Sequence, residues 1–359
     1  MAVEQWMSTN CQPLESPTTI RLVVLGSGSG TQPVECVLLH TDPNTWDAQP
    51  YEALSYEWGS PSDEDPWILV NGCVVQVRKN LWDALMHIRF EEEERYVWID
   101  ALSINQADLQ ERNHQVKIMN AIYRKADRVL VWLGLAKDGS DAVMTIFNDL
   151  GEVKRRAEHL IPTKIEGILA LGERSYWGRA WVQQEIYLAK TYTIHCGSKT
   201  IVDIKLDSSL ALLSGAAARD EQYRHLGRII EDSRMFQVIL MHRLKSINSL
   251  GALLLKSISL KLECSEPRDF IYSMRGMDRD LKESDLVPDY EKPLVEVYFD
   301  TLDVCEFGSN DAGRIAARLG ISLDAELWQR VLISAQRRRG LPKIRSEQPA
   351  NQKVRRAPQ

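Results

Sequence analysis

The sequence predicts an α/β protein built on a parallel sheet, and three observations predict it. Between Tyr51 and about Lys199, β-rich runs alternate with stretches of helical periodicity, the pattern of strands joined by helical crossovers. Beyond residue 200 the strand signal fades and helical stretches follow one another. The chain has 359 residues, 44% hydrophobic and 26% charged, an ordinary composition for a folded protein and a length that admits two domains.

In order along the chain, residues 1–19 are polar and carry prolines, and read as a flexible leader. IRLVVLGSGSGTQPVECVLLH gives two β-rich runs around a Gly/Ser loop, an N-terminal hairpin. Its glycines do not form a phosphate cradle, because Thr31 stands where G-x-G-x-x-G needs its third glycine and no Walker lysine follows. YEALSY is a short strand, and WILVNGCVVQV is a hairpin turning at Asn71-Gly72. Asn80 is placed to cap a helix whose apolar positions Leu81, Ala84, Leu85 and Ile88 share one face. Strand RYVWID follows, then a helix with Val116, Met119, Tyr123 and Ala126 on one stripe. Strand RVLVWLG, a helix from Asp141 to Leu150, helix RAWVQQEIYLAK and strand TYTIHC complete the alternation. The strands centred on Leu54, Val97, Val131 and Ile194 are expected as parallel neighbours. Residues 201–336 are expected to form a smaller helical region and 337–359 a disordered basic tail.

Net charge is −6, but residues 337–359 alone carry +7, which leaves an acidic body. That balance argues against a globular nucleic-acid binder and assigns any contact with polyanions, or a nuclear signal, to the tail. The six cysteines form no C-x-x-C pair and the seven histidines are scattered, so no metal site is expected. The first residues lack the basic and apolar regions of a secretory signal, and no apolar run approaches the ~18 residues of a membrane span.

Polar and aromatic residues concentrate where the strands end: Tyr56-Glu57-Trp58-Gly59, Asp100 through Gln106, and Trp132-Leu133-Gly134. Ligands of open parallel sheets bind at that rim. The same residues also suit plainer work, Asp100 and Asn105 as turn caps and the tryptophans as core. In RAWVQQEIYLAK, Val182, Ile186 and Ala189 make the core stripe, Glu185 lies beside it, and Trp181 is one turn earlier. A carboxylate at that margin is partly desolvated, so its pKa rises unless a cation such as Arg179 pairs with it.

YEALSYEWG, VWIDALSINQADLQERNHQVKIMNAIYRKADRVLVWLG and YWGRAWVQQEIYLAK resemble, in order and spacing, the three blocks of the fungal heterokaryon incompatibility (HET) domain. CSEPRDFIYSMRGM followed by DYEKPLVEVY resembles the segment that trails that domain, so the likeness covers about residues 20–300. It implies a cytoplasmic fungal protein of nonself recognition and programmed cell death. Ser103 stands where members often carry cysteine, and a short helix and the basic tail replace the family's long variable C-terminal region.

The HET domain in turn resembles TIR domains: YEALSY looks like the first TIR strand, and AWVQQEI like the TIR helix bearing a glutamate four residues after tryptophan. This likeness implies a TIR-like, flavodoxin-like fold over residues 20–200. It also implies a candidate NAD glycohydrolase in which Glu185 supports cleavage, with NAD as substrate and no cofactor required. Tyr56 and Trp58 would wall the site, with Gly59, Asp100, Asn105 and Trp181 completing the binding set. The alternative it implies is a non-catalytic adaptor that associates with itself or with other HET-type proteins.

Overall fold

The computed structural model describes residues 1–10, 12–45, 48–245, 249–282, 284–305 and 307–338. Among them, nine strands form one sheet: β1 (Ile20–Leu25), β2 (Glu35–Thr41), β3 (Glu52–Tyr56), β4 (Trp67–Val70), β5 (Cys73–Gln76), β6 (Arg95–Trp98), β7 (Val129–Trp132), β8 (Tyr192–Cys196) and β9 (Lys199–Val202), in the order β5-β4-β2-β1-β6-β3-β7-β8-β9. The four strands expected to be parallel neighbours are so: β6 and β7 flank β3 in parallel, and β8 runs parallel to β7. The N-terminal hairpin β1–β2 is antiparallel and joins the parallel set through β1 against β6. At the β4–β5 turn, Asn71 (φ 49°) and Gly72 (φ 77°) take the two left-handed positions of a tight hairpin, which those two residue types accept at least cost.

Alternation along each strand sends side chains to two separate cores. On one face, Leu54, Val97, Leu130 and Trp132 pack with α1 (Val3–Asn10) and α2 (Lys79–Ile88). On the other, Ala53, Trp98, Val131 and Ile194 pack with α4 (Leu109–Lys125), which follows the short α3 (Asp100–Ser103), and with α5 (Ser140–Asn148), α6 (Leu150–Gly172) and α7 (Ala180–Leu188). This second core continues without a break into α8 (Asp203–Arg219), α9 (Arg224–Asp232), α10 (Arg234–Leu244), α11 (Leu250–Ser259), α12 (Asp269–Arg275), α13 (Leu294–Val304), α14 (Ser309–Arg318) and α15 (Ala325–Arg338). The later helices therefore share the core of the sheet.

Three expectations need correction. Residues 3–10 of the expected leader form helix α1, because Val3, Trp6 and Met7 bury their side chains on the β3/α2 face. Asn80 does not cap α2, whose N-cap residue is Arg78; its amide instead donates to the Glu57 carbonyl (2.5 Å) and accepts from the Trp132 indole (2.9 Å). The helix expected to reach Leu150 ends at Asn148, and Asp149 caps a new 23-residue helix by accepting from Glu152 N. Of the expected basic tail, residues 339–359 lie outside the described residues.

Candidate functional site

After β3 the chain makes the β4–β5 hairpin at the sheet edge and α2 before laying β6 on one side of β3, and then, through α3 and α4, lays β7 on the other. Outside the carboxyl ends of strands whose connections part in this way a crevice opens. Here it is a cavity of about 710 Å³, lined by Glu57 to Ser60 after β3, by Asp100, Ile104 and Gln106 after β6, by one face of α4, and by Arg179, Ala180, Trp181 and Glu185 around the start of α7.

Glu185 is the most constrained of these groups. Because β3 alternates, Ser55 points to the α7 face beside Ala53, and its hydroxyl donates to Glu185 Oε2. Ser55 Oγ also lies 2.6 Å from the Tyr176 hydroxyl. With the single serine proton given to the carboxylate, Tyr176 must donate to Ser55, so a directed chain Tyr176→Ser55→Glu185 runs from the core to the cavity wall. Only 2% of Glu185 is exposed. Burial pushes its carboxyl up from 4.5 to about 7, while the Arg179 guanidinium and the Ser55 hydroxyl pull it down and Asp100 pushes it further up. Arg179 also donates to the Tyr56 carbonyl, which ties it to the end of β3.

Asp100 accepts the Trp58 indole N–H at 2.8 Å and the Ala101 amide at 2.7 Å. Burial nonetheless raises its pKa, against the pull of Arg179 and of these hydrogen bonds. The Tyr56 phenol, fully buried, is held well above its usual range by desolvation and then by the Asp100 carboxylate.

The far wall comes from residues 263–269 and Tyr290. Glu263 bonds by its backbone to Gly178 O (2.7 Å) and Ala180 N (2.9 Å), fixing this wall to the start of α7. Here Tyr290 donates to Asp269, and Arg112 lies 4.0 Å over the Tyr290 ring. Burial raises the Asp269 pKa, with Tyr290, Trp181 and Arg112 acting the other way.

Five of the seven residues singled out in the sequence line this cavity: Glu185, Trp58, Gly59, Asp100 and Trp181. Tyr56 lies behind the wall in the β3/α2 core. Asn105 is not among the lining residues; its amide N–H donates to Glu111 Oε1, and its side chain accepts from Ala107 N in a local turn. Ser55, Tyr176, Arg112, Asp269 and Tyr290 were not singled out. Ser55 had a readable signal, a hydroxyl on the inward-facing register of a buried strand, whereas the far wall is joined to the first by contacts more than 80 residues apart in sequence. His195, next to Cys196, is buried with neither ring nitrogen bonded, and burial pushes its pKa down to about 4. Among the described residues no group of His, Cys, Asp or Glu is arranged to hold a metal ion, and no helix is long and apolar enough to cross a membrane.

Residues 51–185 match the family described as heterokaryon incompatibility protein (HET). The chain carries a HET domain. The HET domain supplies the whole sheet-side wall of the cavity, from Glu57 to Glu185, and the far wall lies beyond it. The chain is similar to heterokaryon incompatibility protein 6, OR allele, of Neurospora crassa, at 28% identity across 45% of this chain and 30% of that protein. The match thus spans less than a third of the relative's own length. No solved structure matches the chain.

Proposed function

We propose that this chain acts in heterokaryon incompatibility, in the fungal cytoplasm, and triggers cell death by hydrolysing the N-glycosidic bond of NAD in the cavity of its HET domain. The observation that carries the chemistry is Glu185: a carboxylate 2% exposed, hydrogen-bonded from behind by Ser55, on the wall of a cavity at the sheet's carboxyl rim. In the reaction the bond from C1′ to the pyridinium nitrogen breaks and its electron pair leaves with neutral nicotinamide. Water adds its oxygen to C1′, giving ADP-ribose and one proton. The ribose carries positive charge in the transition state, which a fixed carboxylate in a water-poor site stabilises. The leaving group departs neutral, so no general acid is required, and no histidine is among the lining residues. Release of nicotinamide from NAD by purified protein, measured both in dilute solution and on tethered protein, tests this reading; steady NAD in both formats overturns it.

A second reading, a self-associating adaptor, draws on a different surface. Strand register places Val37, Leu39, Trp67 and Val74 on one face of the β5-β4-β2 edge, and all four are exposed. Apolar side chains gathered on an uncovered sheet face suit burial against a second copy. A sedimentation coefficient that rises with concentration in the parent and not in Trp67→Glu supports it; a monomer at every concentration removes it.

A further inference from the structure

The charge of the cavity says more about its ligand than its size does. Six carboxylates line it, those of Glu57, Asp100, Glu185, Glu263, Glu266 and Asp269, against two guanidinium groups, Arg112 and Arg179, and no lysine. Both arginines are already committed. Arg179 donates to the Tyr56 carbonyl and faces Glu185 and Asp100, and Arg112 stacks on Tyr290 beside Asp269. Each guanidinium thus sits in the field of at least one carboxylate, which offsets its pull on a pyrophosphate. Glu266 is paired with Arg268 at 2.5 Å, and the other five carboxylates still outnumber the two guanidinium groups, so the field in the cleft favours cations over phosphates.

The aromatic groups agree with the charges. Trp58 and Trp181 both line the cavity, and each has a carboxylate as partner of its indole, Asp100 at 2.8 Å for Trp58 and Asp269 for Trp181. An indole that donates its N–H to a carboxylate becomes more electron-rich, and its face a better platform for a flat cation.

We propose that the cavity selects the N-ribosyl pyridinium cation itself and leaves the pyrophosphate and adenosine of a dinucleotide at its exposed mouth, beside Ser60 and Ser265. The pyridinium as ligand rests on the hydrolase reading, while the preference for cation over phosphate rests on the charges alone. Phosphate then adds nothing to recognition, and a second one is a hindrance. Nicotinamide riboside, which has no phosphate, is cleaved with a kcat/KM at least equal to that of NAD, and NADP with one at least tenfold lower.

Titration calorimetry of the full chain provides an arm independent of turnover. The permanent cation 1-methylnicotinamide binds at least tenfold more tightly than neutral nicotinamide, weakens as salt is raised, and is not displaced by ADP-ribose. Asp269→Asn, checked for folding by circular dichroism, weakens the cation and leaves nicotinamide unaffected. Cleavage of NAD without cleavage of nicotinamide riboside overturns the proposal, as does ADP-ribose binding more tightly than 1-methylnicotinamide. If 1-methylnicotinamide binds as stated and nicotinamide is released from neither riboside, the hydrolase reading fails and the cation preference stands.

Discussion

Two clusters at the cavity, one at the sheet rim and one where the far wall meets α4 and α7, are made of the same four kinds of group, and the first has one carboxylate more. On the sheet side stand a carboxylate, an indole, a phenol and a guanidinium: Asp100, Trp58, Tyr56 and Arg179. Where the far wall meets α4 and α7, its Asp269 and Tyr290 stand against Trp181 and Arg112. Each quartet supplies its own donors to its own carboxylate, and a satisfied buried network of this kind holds a wall in shape. The sheet-side quartet must also accommodate Glu185, a second carboxylate sharing Arg179 with Asp100. Residues in excess of what a network needs are where a fold spends stability on function.

The largest effect should come from removing that extra charge. Glu185→Gln keeps the volume and the acceptor for Ser55 but cannot stabilise a cationic ribose, so NAD cleavage should fall on the order of 10²–10³-fold, as when other preorganised electrostatic groups are removed. Toxicity on overexpression should disappear with it. If the variant depletes NAD and kills as the parent does, Glu185 is part of the scaffold and the two walls are equivalent.

The same substitution should raise stability. A carboxyl shifted from 4.5 to about 7 on folding binds more protons in the folded state across that window. Stability of the parent therefore falls as pH rises from about 4.5 to 7, by about 3 kcal/mol, and is level above. Glu185→Gln should lose this dependence and melt higher than the parent at pH 8, with little difference at pH 4.5. Denaturant titrations at the two pH values measure it, and equal gains at both would show that the charge is not the cause.

The far wall can be tested through its seat. Gly276, just after α12, packs so closely on α4 and α7 that a Cβ would lie 2.6 Å from Asn120 Cβ and closer still to Gln184 Oε1, the oxygen that accepts the Gly276 N–H at 3.2 Å. Gly276→Ala should cost about 1–3 kcal/mol by overpacking. Since the later helices share one core with the sheet, unfolding should remain a single transition at a lower midpoint. Two transitions in the variant would show that the far wall separates from the HET domain.

The two walls also differ in how far they could be read from sequence. Strand alternation, the 3.6-residue stripes and Asn71-Gly72 are local signals, and they located the parallel strands and the rim carrying Trp58, Asp100 and Glu185. The angular position of Glu185 beside Val182 and Ile186 gives the burial that raises its pKa, but not that this burial outweighs the pull of Arg179. Helix α1 is not legible because its three buried side chains, Val3, Trp6 and Met7, sit in a polar stretch too short for periodicity to show. Asn80 was misread because its partners, the Glu57 carbonyl and the Trp132 indole, come from other parts of the chain. Asp269, Tyr290 and Arg112 meet only through tertiary packing, and no local pattern reports such a meeting.

The smallest expected effect is the sharpest test of how the extra carboxylate is held. Ser55 is the one uncharged group that draws the Glu185 pKa downward, and it does so with its hydroxyl proton. In the proposed reaction Glu185 acts as the carboxylate, so the rate should rise with pH through a midpoint near 7. Ser55→Ala removes a charge-assisted hydrogen bond, and the midpoint should move up by about one unit, the equivalent of ~1.4 kcal/mol. The plateau rate at high pH should change little, because Ser55 is not among the cavity-lining residues and acts through Glu185. Ser55→Thr restores a hydroxyl and should return the midpoint toward 7. Tyr176→Phe, which leaves the serine proton in place, should shift it less. A midpoint that stays fixed in Ser55→Ala while the plateau collapses would mean that the serine holds the shape of the wall, with burial and Arg179 alone setting the charge of Glu185.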